Sequence, residues 1–170
     1  IRRRAATIGG HNMDDYPLKM HVFNRARLIK NSKNRIPYGV DLIQKYRRES
    51  WIVFTENKKQ AKEFNKIINT KGFKSALYNT DLDSGERLEN LNKFKKADLN
   101  VLVTCTALDE GFDMPEADGA LILSASSSKR QRVQRMGRVL RITENKPNAL
   151  IVTVYSSKTE FDKLMEEAKR

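Results

Sequence analysis

Hydrophobic and polar positions follow two different patterns along this chain. Five short runs are mostly apolar and rich in β-formers, which predicts strands at 51–55, 73–78, 100–104, 119–123 and 149–155. Between most of these runs, apolar residues recur every three or four positions, which is the period of an amphipathic helix. Apolar strands separated by such helices predict an α/β domain in three layers, with a mainly parallel sheet covered by helices on both faces.

The predicted helices have recognisable beginnings and ends. Pro37 opens a helix that continues to about Arg48, a second helix covers 57–71 and stops at Gly72, and 83–86 has the spacing of a capping box. A closing helix follows the fifth strand. The closing helix is marked by Phe161, Leu164, Met165 and Ala168. The residues expected on the inward faces of the other helices are Val40, Ile43, Tyr46, Ala61, Phe64, Ile67, Ile68, Leu88, Leu91 and Phe94.

The beginning of the chain has a different character. Residues 1–16 show no period, whereas 18–30 have helical spacing. We interpret 1–36 as an N-terminal extension or interdomain linker with a helix, and 37–170 as the folded domain. The chain starts at Ile1 rather than Met, so we expect it to be a piece of a longer polypeptide.

The amino-acid composition limits the kinds of molecule that this chain is expected to bind. Lys and Arg exceed Asp and Glu by 33 to 21, which gives a net charge of +12 and favours a polyanion such as nucleic acid. A lysine-rich surface without a specific partner is the simpler alternative. No apolar run approaches the ~20 residues of a membrane helix, so no membrane is expected. A single cysteine, Cys105, fits an intracellular location, and with only two histidines we predict no metal site.

The segment 131–141, QRVQRMGRVLR, is the most unusual in the chain. At helical spacing, Gln134, Arg138 and Arg141 share one stripe, with Arg135 beside it. The planar guanidinium group donates paired hydrogen bonds to phosphate and stays charged. A solvated basic helix face is the alternative. Glycine within a helix costs about 1 kcal/mol relative to alanine, which favours a surface that something large must approach.

A second candidate site follows the third strand. Thr104 and Thr106 place hydroxyl groups at the strand end, where ligands of parallel sheets bind. Such hydroxyls suit phosphate, and the carboxylate of Asp113, close to Gly111, suits a ribose hydroxyl. An ordinary polar loop is the alternative interpretation.

The sequence lacks the phosphate-binding loop of an independent nucleotide hydrolase. None of its eight glycines is followed by Lys-Ser or Lys-Thr, and no predicted strand ends in the acidic pair that holds Mg²⁺ in such enzymes. Arginines suited to a transferring phosphoryl group therefore occur without a cradle for the nucleotide. This combination is typical of a domain that supplies an arginine finger to a site built mostly by its neighbour.

These motifs together resemble the C-terminal RecA-like domain of superfamily 2 helicases and translocases. Residues 134–141 match the family pattern Q-R-x-G-R-x-x-R, 104–115 match the preceding motif, and 52–58 look like the first motif of this domain. Arg87 stands where the family has an arginine after the second strand. The order of the motifs fits from about residue 38 to 156.

For the nucleotide, the resemblance implies a site shared with an N-terminal RecA-like domain. That domain would hold most of the ATP and Mg²⁺, and Arg138 and Arg141 would reach the γ-phosphate. The supporting nucleotide contacts would come from Gln134, Arg135, Gly111 and Asp113. The present chain alone is then expected to lack ATPase activity.

For the nucleic acid, the resemblance implies backbone contacts. Asn57 and Lys58, at a helix N-terminus, would hold a phosphate, and Arg87, Thr104 and Thr106 would lie on the same path. The motif style is closer to XPB-like and restriction-enzyme-like translocases than to DEAD-box proteins, which favours double-stranded DNA.

Two other functions stay open on the sequence. A non-catalytic RecA-like module could bind nucleic acid or a partner without hydrolysing ATP. A thiol enzyme using Cys105 is the weaker alternative, since nothing nominates a base beside it. Cys105 also marks a departure from the family, which usually has Thr-Asp where this chain has Cys105 and Thr106. Because a thiol is a poor hydrogen-bond partner, the phosphate contact is expected to move to Thr104, Thr106 or backbone amides.

Overall fold

The computed structural model describes residues 32–105, 116–123 and 148–168, together with Met20 and Asn24. The helix predicted over 18–30 lies outside this part of the chain, apart from Met20 and Asn24, which are both helical. The described elements, in chain order, are α1 (Arg35–Tyr46), β1 (Trp51–Thr55), α2 (Lys58–Thr70), β2 (Ser75–Tyr78), α3 (Ser84–Lys95), β3 (Val101–Cys105), β4 (Gly119–Ile122), β5 (Leu150–Thr153) and α4 (Lys158–Ala168).

All five strands pair in parallel, in the order β2-β3-β1-β4-β5. The central strand is β1, where Trp51 pairs with Val101 on one side and with Gly119 on the other. Successive side chains of a strand point to opposite faces of the sheet. Accordingly, Val53 of β1 packs with the buried residues of α1 and α2, and Phe54 packs with those of α3. The predicted three-layer α/β architecture is confirmed.

Helix α1 lies unusually close to the sheet. A Cβ atom built on Gly39 would come within 2.5 Å of Leu123 Cδ2, so a larger residue fits there only if the Leu123 side chain or the helix shifts. The helix begins at Arg35 rather than Pro37, and both Arg35 and Ile36 are buried. The compact unit described by the structure therefore includes these two residues.

Two of the expected core residues are wrong. Tyr46 is exposed, because it is the last residue of α1 and lies beyond the packed face. Leu88 is 57% exposed, while Leu91 and Phe94 are buried. The inward stripe of α3 begins at partly buried Arg87, and Leu88 is rotated about 100° away from that stripe.

The closing helix is confirmed as α4, and two of the four apolar side chains that marked it in the sequence are described. Phe161 and Met165 are exposed, and Phe161 contacts the Tyr155 ring at a centroid distance of 5.0 Å. The side chains of Leu164 and Ala168 lie outside the described residues.

The predicted beginning of α3 and the predicted end of α2 are confirmed. Asp83 Oδ1 accepts a hydrogen bond from the backbone N–H of Glu86 at 2.9 Å, which caps α3. Gly72, just after α2, has a φ of +86°, a left-handed conformation that favours glycine.

The outer edge of β2 is covered by two asparagines from the flanking helices. Lys74 O accepts from Val101 N, so the backbone groups of Ser75 and Leu77 point away from β3. Asn69 accepts from Ser75 N at 3.2 Å, and Asn90 donates to Leu77 O at 3.1 Å. An unpaired strand edge is a template for association, and these side chains occupy it.

None of the helices in the described part of the chain combines the length and the apolar composition needed to cross a membrane.

Candidate functional site

The carboxyl ends of all described strands meet at one edge of the sheet. In parallel sheets, ligands bind in the crevice beyond this edge. At this edge lie Asn57 and Lys58, which begin α2 after β1. Asp81 lies in the loop after β2, and Thr104 is near the end of β3. Because these segments come from neighbouring parts of the sheet, they form the candidate site.

Thr55 and Thr104 tie the ends of the two central strands together. Thr55 Oγ1 donates to Thr104 O at 3.0 Å, and its oxygen also lies 3.2 Å from Asn57 O. Thr104 Oγ1 donates to Cys105 O at 3.2 Å, and both threonines are buried. The predicted phosphate ligand Thr104 is therefore the least accessible of the described candidates.

Asn57 and Lys58 form the beginning of α2, as predicted. Asn57 Oδ1 accepts from Gln60 N at 3.0 Å, and Gln60 Oε1 accepts in turn from Glu56 N at 3.1 Å. This arrangement fixes the first turn, while the Lys58 side chain extends to the surface with 45% exposure. The positive end of the helix dipole and an ammonium group thus face the same solvent region.

Asp81 is a member of this site that the sequence did not predict. Its carboxylate pairs with the Lys58 ammonium through Oδ1, and Lys62 Nζ lies 3.3 Å from Oδ2. The hydrogen bonds from Lys58 and then Lys62 hold the pKa of Asp81 below its ordinary value. The i,i+4 lysine pair was visible in the sequence. Nothing in the sequence showed that the loop after β2 would approach it.

The Asp81 backbone is held by a turn. Asn79 Oδ1 accepts from Asp81 N at 3.0 Å, and Asn79 O accepts from Leu82 N at 3.3 Å. Asn79 is buried, and its Nδ2 has no hydrogen-bond partner among the described residues. The turn places Asp81 independently of the lysines that it contacts.

Arg87 follows in α3, one turn after the Asp83 cap. It is partly buried and forms no ion pair with any residue in the described ranges. The same short connection that carries Asp81 leads into this helix, so the predicted Arg87 contact and the lysine pair share one end of the sheet.

The other predicted site residues lie outside the described part of the chain. They are Thr106, Gly111, Asp113, Gln134, Arg135, Arg138 and Arg141. Their roles stay predictions.

A second ionic cluster at this edge was also missed by sequence reasoning. Arg35 is only 2% exposed, and its Nη1 donates to Leu123 O at 2.6 Å and to Val154 O at 2.7 Å. Its Nη2 pairs with Glu160 Oε2 at 2.5 Å, and the same oxygen accepts from Ser156 N at 2.8 Å. One guanidinium therefore joins α1 to the ends of β4 and β5 and to α4.

Cys105 is buried at the end of β3. Among the residues that the structure describes, no three His, Cys, Asp or Glu side chains are grouped so that they could hold a metal ion.

Residues 34–143 match the family described as "Helicase conserved C-terminal domain". The chain is 35% identical over 129 residues to DNA 3'-5' translocase XPB2 of Sulfurisphaera tokodaii, covering 76% of this chain and 28% of that protein. It is 28% identical over 166 residues to ATP-dependent RNA helicase DBP3 of Ajellomyces capsulatus, covering 94% of this chain and 32% of that protein. The chain thus spans about a third or less of these relatives.

Among solved structures, the fold is similar to the C-terminal domain of the DEAD-box protein Dbp5. The TM-score is 0.71 at 22% identity, and the alignment covers 83% of this chain and 80% of that chain. This likeness confirms the RecA-like α/β fold.

Proposed function

Because the chain belongs to the family of helicase conserved C-terminal domains, we propose that it is the second motor domain of an ATP-dependent superfamily 2 helicase or translocase. The observation that carries the proposal is the extent of the family match. It covers 34–143 and thereby includes every predicted nucleotide and nucleic-acid contact, from Asn57 to Arg141.

In this proposal, the nucleotide lies between this domain and an N-terminal RecA-like domain of the same polypeptide. That neighbour holds most of the ATP and its Mg²⁺, whose chemistry is to neutralise charge on the phosphates. Arg138 and Arg141 donate to the γ-phosphate when the domains close. Gln134 and Arg135 assist nucleotide contacts and closure of the two domains, while Gly111 and Asp113 lie at the nucleotide, with Asp113 near the ribose.

The nucleic-acid backbone follows the carboxyl edge of the sheet. Lys58 offers an ammonium group beside the N-terminus of α2, a combination that suits a phosphate. Arg87 lies further along this edge, with Thr104 and Thr106 contributing hydroxyl or backbone donors. Contacts to phosphates carry little sequence information, so the movement is expected to be largely independent of sequence.

Double-stranded DNA is the proposed substrate. The relative named as a DNA translocase is 35% identical to this chain, compared with 28% for the RNA helicase. ATP hydrolysis would remove the γ-phosphate that Arg138 and Arg141 contact, and reopening of the cleft would then move the two domains along the backbone.

The decisive experiment replaces Arg138 with lysine in the complete protein. A point charge cannot reproduce the two parallel hydrogen bonds of the guanidinium, so kcat for ATP is expected to fall by about 10³-fold or more while nucleotide binding is kept. Steady-state ATP hydrolysis and equilibrium binding of a fluorescent nucleotide measure the two effects. Arg48→Lys, at an exposed arginine before β1, is the matched control.

An unchanged kcat in Arg138→Lys would remove this arginine from its role. The isolated chain provides a second check, since it is expected to hydrolyse no ATP. Turnover by the chain alone that disappears in Arg138→Ala would contradict the shared site. DNA binding without any ATPase in the complete protein would instead favour a non-catalytic binding module.

A further inference from the structure

We propose that Asp81 is an internal substitute for a nucleic-acid phosphate. In the free protein it holds Lys58 and Lys62, and a phosphate of the bound backbone takes its place. Asp81 would thereby set the affinity and the salt dependence of this interface. The inference rests on the proposed function, because it requires that Lys58 contacts the nucleic-acid backbone.

The first support is the geometry of the three side chains. Lys58 and Lys62 are four residues apart, so they lie one above the other on the same face of α2. They use different oxygens of one carboxylate, Lys58 contacting Oδ1 and Lys62 contacting Oδ2. Two ammonium groups that converge on two oxygens of one anion present the same donor arrangement to two oxygens of a phosphate.

The second support is the way in which Asp81 is placed. Its backbone is fixed by the turn on buried Asn79, so the carboxylate is presented by the fold. The lysines, in contrast, are long and solvent-accessible, with Lys62 at 60% exposure. Exchange of anions therefore needs only rotation of lysine side chains, with no rearrangement of the sheet.

The third support is the balance of charge and solvation. Asp81 is itself 35% exposed, and ion pairs between exposed groups contribute little net stability. A phosphate can therefore displace the carboxylate readily. The two lysines and Asp81 together carry a net charge of +1, which rises to +2 when the carboxylate is removed. The wild-type interface is then weaker, and less salt-dependent, than its lysines alone would make it.

The test measures DNA affinity after the carboxylate is neutralised. In the complete protein, Asp81→Asn is expected to tighten the Kd for a short fluorescein-labelled DNA duplex by about threefold to tenfold. One additional net charge should also steepen the slope of log K against log salt by about 0.9. Fluorescence anisotropy over a salt series gives both quantities.

Glu63→Gln is the matched control. It removes the same charge from the exposed surface of α2, and Glu63 forms no ion pair with the two lysines. Because its effect on DNA is only a screened long-range one, the Kd is expected to change by less than about twofold. An effect of Asp81→Asn no larger than that of Glu63→Gln would overturn the proposal.

A double-mutant cycle separates the substitute role from general electrostatics. In a Lys58→Gln/Lys62→Gln background, the affinity gained through Asp81→Asn should disappear, because no ammonium group is left to release. An undiminished gain in that background would contradict the proposal. If Lys58→Gln/Lys62→Gln itself leaves DNA and single-stranded RNA binding unchanged, the proposed phosphate site fails as well, and this outcome is distinct from failure of the Asp81 role alone.

Discussion

Two ionic clusters lie at the same edge of the sheet, and they differ in burial, in hydrogen-bond partners and in net charge. The Arg35–Glu160 cluster is buried and anchored to main-chain carbonyls, whereas the cluster of Lys58, Lys62 and Asp81 is exposed and made of side chains alone. The comparison teaches that proximity of opposite charges does not define a role. Burial and the remaining hydrogen-bond partners decide whether a pair holds the fold together or can exchange with a ligand.

The hydrogen bonds of the buried cluster are costly to break, because water cannot replace Arg35 as the donor to the main-chain carbonyls. If the guanidinium were removed, Leu123 O and Val154 O would lose their hydrogen bonds from Arg35 in a region without access to water. The exposed cluster has water available to every member. Its ion pairs can be broken with little loss, which is the property required of a surface that binds and releases a polyanion.

The largest expected effect is on the free energy of unfolding, when the buried Arg35–Glu160 cluster is changed. Arg35→Met should lower the free energy of unfolding by about 3–5 kcal/mol, because it strands the Glu160 carboxylate and two strand-end carbonyls. Urea unfolding followed by fluorescence of Trp51, the only tryptophan and fully buried, measures the loss. Arg48→Met, at an exposed arginine, is the control, and equal losses in the two variants would remove the distinction between the clusters.

Glu160→Gln should have an intermediate effect. Glu160 is 15% exposed, and glutamine keeps an acceptor for Ser156 N while removing the charge that faces Arg35. The expected loss is about 1–2 kcal/mol, since Arg35 retains its two carbonyl partners. The same urea experiment checks this order, and a loss greater than that of Arg35→Met would show that the carboxylate, not the guanidinium, is the centre of the cluster.

The smallest expected effect concerns pH at the exposed cluster. The pKa of Asp81 is lower in the folded state than in the unfolded state. The Asp81 carboxylate therefore stabilises the fold fully at any pH above its unfolded-state pKa, and this stabilisation is lost as the pH falls through its folded-state pKa. The stability difference between wild type and Asp81→Asn should therefore be constant near neutral pH and shrink below about pH 4. NMR titration of the Asp81 carboxyl group checks the cause directly, and a midpoint at or above the ordinary value for aspartate would contradict it.

The helices and strands that follow from local sequence patterns were predictable, whereas the face that a helix turns towards the sheet was not always predictable. The run 51–55 is apolar at nearly every position, and it forms a strand with those bounds. The Asp83 cap follows from residues three apart, so it too was visible in the sequence. Leu88 was assigned to the core wrongly, because two stripes of α3 differ by one residue and only packing on β2 and β3 selects between them.

The candidate site shows the same division. The helix start at Asn57 and Lys58 was predicted correctly, because a helix start after a strand can be read locally. Their contact with nucleic acid stays a prediction. Asp81 was missed because its contact with α2 depends on the order of strands in the sheet. Strand β3 lies between β1 and β2, so the connection through α2 crosses over a third strand before the loop after β2 can meet the lysines. Arg35 was missed for a similar reason, since its partners at Leu123 and Val154 are 88 and 119 residues away.

The sequence by itself therefore determined the alternation of strands and helices, the basic character of the chain and the motifs of its family. These are properties of neighbouring residues and of composition, which act before the chain is compact. The tertiary structure alone decided which arginine is buried and which carboxylate meets the lysines. Both depend on the order of strands in the sheet, because that order brings residues from distant segments to one edge and sets how much water reaches them.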